Sequence, residues 1–155
     1  MAAAFEMGKS AEVLGCESVI LSNYELTAVT QDLVSELDKI FDERQSETVI
    51  THAPNDSNQE HVVCARAVLA ASRRINRVLF FEPVPPAGRV DFRPQFYVDI
   101  SDVAGKKYDA IAHYKTQILR HGRDLIDTRE RLDAWRGSEI DTEYAEAFGV
   151  ARYAI

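Results

Sequence analysis

The stretch TVITHAPNDSNQEHVVCARAVLAA, Thr48 to Ala71, passes from a β-branched run through a polar loop into a segment that is almost continuously apolar. Thr48, Val49 and Ile50 suit a buried strand, and the run from Val62 to Ala71 suits a helix packed closely on a sheet. The loop between them, Thr51 to His61, is therefore pinned at both ends. Ser57 followed by Glu60 has the spacing of a capping box, which predicts a helix start with His61 in its first turn. A helix N-terminus disfavours imidazolium, so His61 is expected neutral, the form that binds metals. A strand end, a polar loop and a helix start together describe the carboxyl edge of an open α/β sheet, where such folds place their sites.

The polar side chains that could converge there are His52, Asp56, Asn58, Glu60 and His61, with Glu82 at the end of the next strand. Catalysis by a metal needs about three protein ligands and an open position. His61 is the convincing imidazole; His52 is a second candidate that also reads as an ordinary loop residue. A histidine at a helix start is more often packed or solvated than a ligand, and Asp56 can equally cap a turn. His113 and His121 lie on or near a charged helix and are expected to be exposed. Neither GxSxG, a Walker loop, GxGxxG nor HExxH occurs, which removes the motif support for serine hydrolase, P-loop, dinucleotide-binding and zincin readings.

Working outward, the alternation of elements predicts a parallel sheet flanked by helices. A helix from Phe5 to Leu14 closes at Gly15, and Ser18 to Leu21 reads as a short strand. A helix from Thr27 or Thr30 to about Arg44 carries Val29, Leu33, Leu37, Ile40 and Phe41 on one stripe. After the helix that ends near Arg74, Arg77 to Glu82 is a strand stopped by Pro83, Pro85 and Pro86. Phe96 to Ile100 is a further strand, and Ser101 or Asp102 caps a helix to about Arg120. Asp124 to Arg136 reads as a charged helix closed by Gly137, Thr142 to Phe148 as a short helix closed by Gly149, and Val150 to Ile155 as a final strand. Strand, helix and strand at this spacing imply right-handed crossovers.

With 155 residues, 46% of them hydrophobic and 28% charged, the expectation is one globular domain covering 1–155. The first residues lack the basic and apolar regions of a secretory signal, so a cytoplasmic location is expected, with no membrane span. A net charge of −7 argues against nucleic-acid binding. Cys16 and Cys64 are far from any CxxC spacing and read as small buried residues.

Taken together, EMGKSAEVLGCESVILS, THAPNDSNQEHVVCARAVLAASRR, VLFFEPVPP, FRPQFYVDISD, KKYDAIAHYKTQ and EYAEAFGVARY resemble the PIG-L/LmbE-like deacetylases in order and spacing. These are zinc-dependent enzymes that remove N-acetyl groups from amino-sugar conjugates, on a Rossmann-like, mostly parallel sheet. In that family a D-x-[HN]-x-D-H segment gives the third zinc ligand from its last histidine, which is His61 here. The resemblance further implies catalytic roles for Asp56, Asn58 and Glu60. Asn58 stands where many members have an oxyanion-stabilising histidine, and Glu60 where most have aspartate. Glu82 is the implied substrate-binding residue. Family members open with a strand and an AHPDD-type motif that supplies the other two ligands and the general base, and the resemblance finds no such motif here. It thus implies a fold without the family's first strand, a chain inactive alone, and zinc held only when a complementing N-terminal segment or self-association completes the site. The alternative is a non-catalytic binding or structural module derived from the fold.

Overall fold

The structure is a computed structural model that describes residues 2–21, 24–83, 92–121 and 125–154. The chain divides into two compact units, one formed by Met1–Ser22 with Val98–Glu146, the other by Asn23–Tyr97 with Ala147–Ile155.

The second unit carries the decisive stretch. Thr48–Thr51 is strand β1, pairing in parallel with β2, Arg77–Phe81, in a register that sets Thr51 opposite Phe80. Alternation along β1 turns Val49 and Thr51 inward and leaves Ile50 52% exposed. Thr30 caps the first helix of this unit, α2 (Gln31–Glu43), its hydroxyl accepting from the Leu33 N–H at 3.3 Å. The second, α3 (Gln59–Ala71), buries Val62, Ala65, Ala67, Val68 and Ala71, and α2 packs against it. Val49, Val68, Ile75 and Val78 form the core cluster, with Leu37, Phe41, Cys64 and Leu69 packed onto it. The small alanines of α3 are what let it lie close to the sheet.

The first unit holds α1 (Ala2–Leu14), α4 (Ala104–Ala112), α5 (Lys115–His121) and α6 (Leu125–Ser138). Gly15, at φ +73°, ends α1 by donating to Ala11 and Glu12 carbonyls. The sheet has strand order β1-β2-β4-β3, with β3 at Phe96–Asp99 and β4 at Ala145–Tyr153. Because β4 runs antiparallel to β2, the sheet is mixed. The α/β class expected from the sequence is the one observed.

Several local expectations are corrected. Ser18 to Leu21 forms no strand, and Val19 and Ile20 are 54% and 55% exposed; without a neighbouring ladder a β-branched run has nothing to pair with. The helix after Ser101 is capped by neither Ser101 nor Asp102. It starts after Val103, which makes no side-chain cap bond, and breaks at His113. There Glu6 of α1 accepts from the Thr116 backbone N–H at 3.0 Å and hydroxyl at 2.5 Å, starting α5 anew. Gly137 lies inside α6 rather than after it: a Cβ there would come within 2.7 Å of the Thr142 and Glu143 carbonyl oxygens. Thr142 to Phe148 is not a helix, because Ala145 to Tyr153 forms one continuous strand. Gly149 faces Phe80 in its register, and a Cβ there would be 3.6 Å from the Phe80 side chain, so tertiary pairing overrides the local helical pattern. Cys16 is exposed and Cys64 half-buried; both are free thiols. Pro85, Pro86 and Asp124 lie outside the described residues.

Candidate metal and acid–base site

At the carboxyl end of β1 the chain turns through 52–58 into α3, and the turn is built by its own polar side chains. Asp56 Oδ1 accepts from the Asn58 N–H at 2.8 Å, and Asn58 Oδ1 accepts from the Glu60 N–H at 2.9 Å. Asn58, not Ser57, is therefore the N-cap of α3, and two successive Asx bonds replace the expected Ser57–Glu60 capping box. His61 falls in the first turn, as the sequence predicts.

Asp56 turns its other oxygen to His61, with Oδ2 and Nδ1 2.9 Å apart. The Asp56 side chain is 4% exposed and that of His61 33%. Burial by itself would raise the Asp56 carboxyl, but the Asn58 N–H, the His61 bond and the charges of both histidines outweigh it and hold the carboxyl below its ordinary value. His52 stacks on His61 with ring centroids 3.8 Å apart and planes 16° from parallel, and it meets Phe81 of β2 at 4.6 Å. Burial, aided by His61 and opposed by Asp56, pushes His52 down to about 4, so its imidazole is neutral at pH 7.

Ligating atoms of His52, Asp56 and His61 all lie within 4.8 Å of one another. Two imidazoles and a carboxylate make a donor set that suits zinc and its neighbours among the divalent metals. Glu60 is exposed on the first turn of α3, and Glu82 is half-buried directly after β2, at the same edge of the sheet. The structure therefore gathers Asp56 and His61 with His52, uses Asn58 as a cap, and leaves Glu60 outside the group. From the sequence His52 is the weaker second candidate, because the parallel register that brings it to Phe81 is not visible in a single strand.

Beside this group lies a cavity of about 400 Å³, lined by Pro54, Phe80, Pro83, Phe92, Val150 and the Asp56 side of the loop. Asn58, Glu60, His61 and Glu82 are not among its described lining residues.

Residues 4–72 match the profile of the PIG-L family, described as GlcNAc-PI de-N-acetylase. No curated protein matches the sequence. Among solved structures, a conserved protein from Thermus thermophilus is 19% identical, with a TM-score of 0.81 over 99% of this chain and 74% of that one. GalB, the 4-carboxy-2-hydroxymuconate hydratase from Pseudomonas putida KT2440, is 24% identical, with a TM-score of 0.81 over 99% of this chain and 72% of that one. The N,N'-diacetylchitobiose deacetylase from Pyrococcus horikoshii is 19% identical, with a TM-score of 0.66 over 96% of this chain and 62% of that one. At these identities the likeness establishes fold and not chemistry. The PIG-L profile thus matches the chain over residues 4–72, and the α/β fold of these solved structures extends over 96–99% of it.

Proposed function

We propose that this chain serves metal-dependent hydrolysis of the N-acetyl amide of amino-sugar conjugates, in the cytoplasm, with His61 as a metal ligand. The observation that carries this reading is the Asp56–His61 pair, 2.9 Å apart at the carboxyl end of β1. A carboxylate that accepts from Nδ1–H fixes the tautomer and leaves Nε2 as the free lone pair, the usual arrangement behind a ligating histidine. With Asp56 engaged behind His61, the stacked His52 ring offers the nearest further donor. Zinc bound there would supply an acidified water and a Lewis acid for the amide carbonyl.

The remaining roles fall to the chain's own residues. Asn58 spends its oxygen on the Glu60 N–H, so its Nδ2 protons remain to donate to a developing oxyanion. Glu60 offers a carboxylate as proton acceptor beside His61, and Glu82 can accept from sugar hydroxyls. A complementing segment or a second copy along the open side of β1 would complete the site. In support, among the described residues β1 pairs only with β2, and Ile50 stands half-exposed on it.

A second reading, a non-catalytic binding module, is favoured by one observation: Asp56 and Asn58 both cap the start of α3, the work of a structural loop. Zinc-loaded protein incubated with an N-acetylglucosamine conjugate decides between them. Acetate release that His61→Ala abolishes supports the hydrolase; zinc binding without acetate release, alone or with a complementing segment, supports the module.

A further inference from the structure

We propose that the cavity beside Asp56 is a binding site for an apolar or aromatic portion of the substrate, which makes an N-acylated amino sugar carrying such a group the preferred class. This deepens the hydrolase reading and rests on it for the sugar; the apolar specificity rests on the cavity alone.

The walls make the case. Phe80 comes from β2, Val150 from β4, Phe92 from the approach to β3, and Pro54 and Pro83 from the two strand-end loops. Asn55, Arg93 and Gln95 supply the polar part of the wall. Gln95 is held in place, its backbone N–H donating to Phe148 at 2.9 Å and its Oε1 accepting from Val150 N–H at 3.0 Å. At about 400 Å³ the space is far larger than an acetyl group needs. An apolar cavity of about 150 Å³ is enough to take benzene, so this one has room for a ring and its attachment.

Asp56 gives the cavity its connection to chemistry. Asp56 is one of the residues that line the cavity, and its carboxylate is bonded to His61. A group seated among Phe80, Phe92 and Val150 therefore has its point of attachment next to the loop that holds both imidazoles. The apolar group can reach the cavity from either side of the scissile amide, as an aromatic aglycone or as a long N-acyl chain.

Gly149 provides the means of closing the cavity. It lines the space, and a Cβ on it would sit in ordinary contact, 3.6 Å from Phe80 and 3.8 Å from the Arg93 carbonyl oxygen. Gly149→Ala should fold with little change, and Gly149→Val should place further methyl groups against Phe80 and reduce the space.

The test uses the full chain without added metal. In the first arm p-nitroanisole is titrated into labelled protein and followed by amide NMR; shifts are expected at Gly149, Val150 and Asp56, and they should be lost in Gly149→Val whose thermal transition remains cooperative. In the second arm calorimetry compares three glucosaminides: methyl N-acetyl, p-nitrophenyl N-acetyl and methyl N-hexanoyl. At least one of the larger two should bind about 10- to 50-fold more tightly than the first, as burial of one ring or chain would give. A gain confined to the p-nitrophenyl compound assigns the cavity to the aglycone, and one confined to the hexanoyl compound assigns it to the acyl chain. If Gly149→Val does not fold, Gly149→Leu and Val150→Trp replace it. Absence of shifts at these amides, or shifts that persist in a folded variant with the cavity filled, would overturn the proposal. Shifts in the first arm with no sugar binding in the second would leave the apolar site standing and count against the amino-sugar reading alone.

Discussion

Asp56 and Asp133 are both carboxylates shut away from water, with side chains 4% and 2% exposed, yet their surroundings push them in opposite directions. Asp56 sits in a loop on backbone N–H groups and an imidazole, is held ionised below its ordinary range, and borders a cavity. Asp133 sits in α6 and pairs with Lys107 of α4 at 2.7 Å; that ammonium also meets Glu146 at 2.6 Å. Tyr108 donates to Asp133 at 3.2 Å. Burial raises the Asp133 carboxyl more strongly than the lysine lowers it. Burial of an acid is thus no sign of chemistry by itself. What separates the two is what lies around the pair: Asp56 lines a cavity and its imidazole partner is a third exposed, whereas the Lys107 ammonium is shared between two carboxylates.

The largest expected effect breaks the structural member of the pair. Lys107→Met leaves Asp133 buried beside Glu146 without its cation, and should cost about 3 kcal/mol in a urea titration at pH 7. The loss should shrink toward pH 4, because a carboxyl with a raised value takes up its proton and no longer needs the partner. A cost under about 1 kcal/mol at pH 7 would show the pair to be effectively solvated.

Next come the two glycines. Gly137→Ala drives a methyl onto two backbone oxygens and should cost about 1 to 3 kcal/mol, whereas Gly149→Ala, in ordinary contact, should stay within about 1 kcal/mol. Equal losses would mean that the helical unit is no more tightly packed than the cavity wall.

Asp56→Asn tests the functional member. It keeps the bond to the Asn58 N–H but weakens the hold on His61, so cobalt or zinc affinity should fall about 10- to 100-fold with little change in the thermal midpoint. Unchanged metal affinity would reduce Asp56 to a loop cap.

The last expected effect is a pH dependence. His52 has an ordinary value of 6.5 and a folded value of about 4, so between these the unfolded chain binds the extra proton. Stability should therefore be full above pH 6.5 and decline as pH falls toward 4, while the Asp56 contribution is lost at lower pH, between the ordinary carboxyl value and its depressed one. His52→Phe should flatten the upper part of that decline; a slope unchanged by the substitution would place the titration elsewhere.

Much of this was readable in advance, for a physical reason. The segment from Thr48 to Ala71 is local: its strand, loop and helix are set by alternation, Asx chemistry and apolar spacing, and the gathering of Asp56 and His61 follows from five residues of chain. The Asn58 cap was missed because Ser57 offers the same bond one position earlier, and only the backbone geometry selects between them. Asp133 and Lys107 were unreadable. Each lies on a helix whose charges look solvated, and their meeting depends on α4 packing on α6. The same holds for Ala145 to Tyr153, whose alanines and glycine look helical until β2 supplies a ladder.

That last strand has a consequence for the order in which the molecule comes into being. In the arrangement β1-β2-β4-β3 the strand that comes after the other three in the chain fills an inner place. Until residues 145–153 emerge, β2 has a partner on one side only, and its run Val78-Leu79-Phe80-Phe81 is exposed to neighbouring chains. Assembly of the sheet is tied to long-range closure and is accordingly slow, so removing this final strand should harm the yield of soluble protein more than its size suggests.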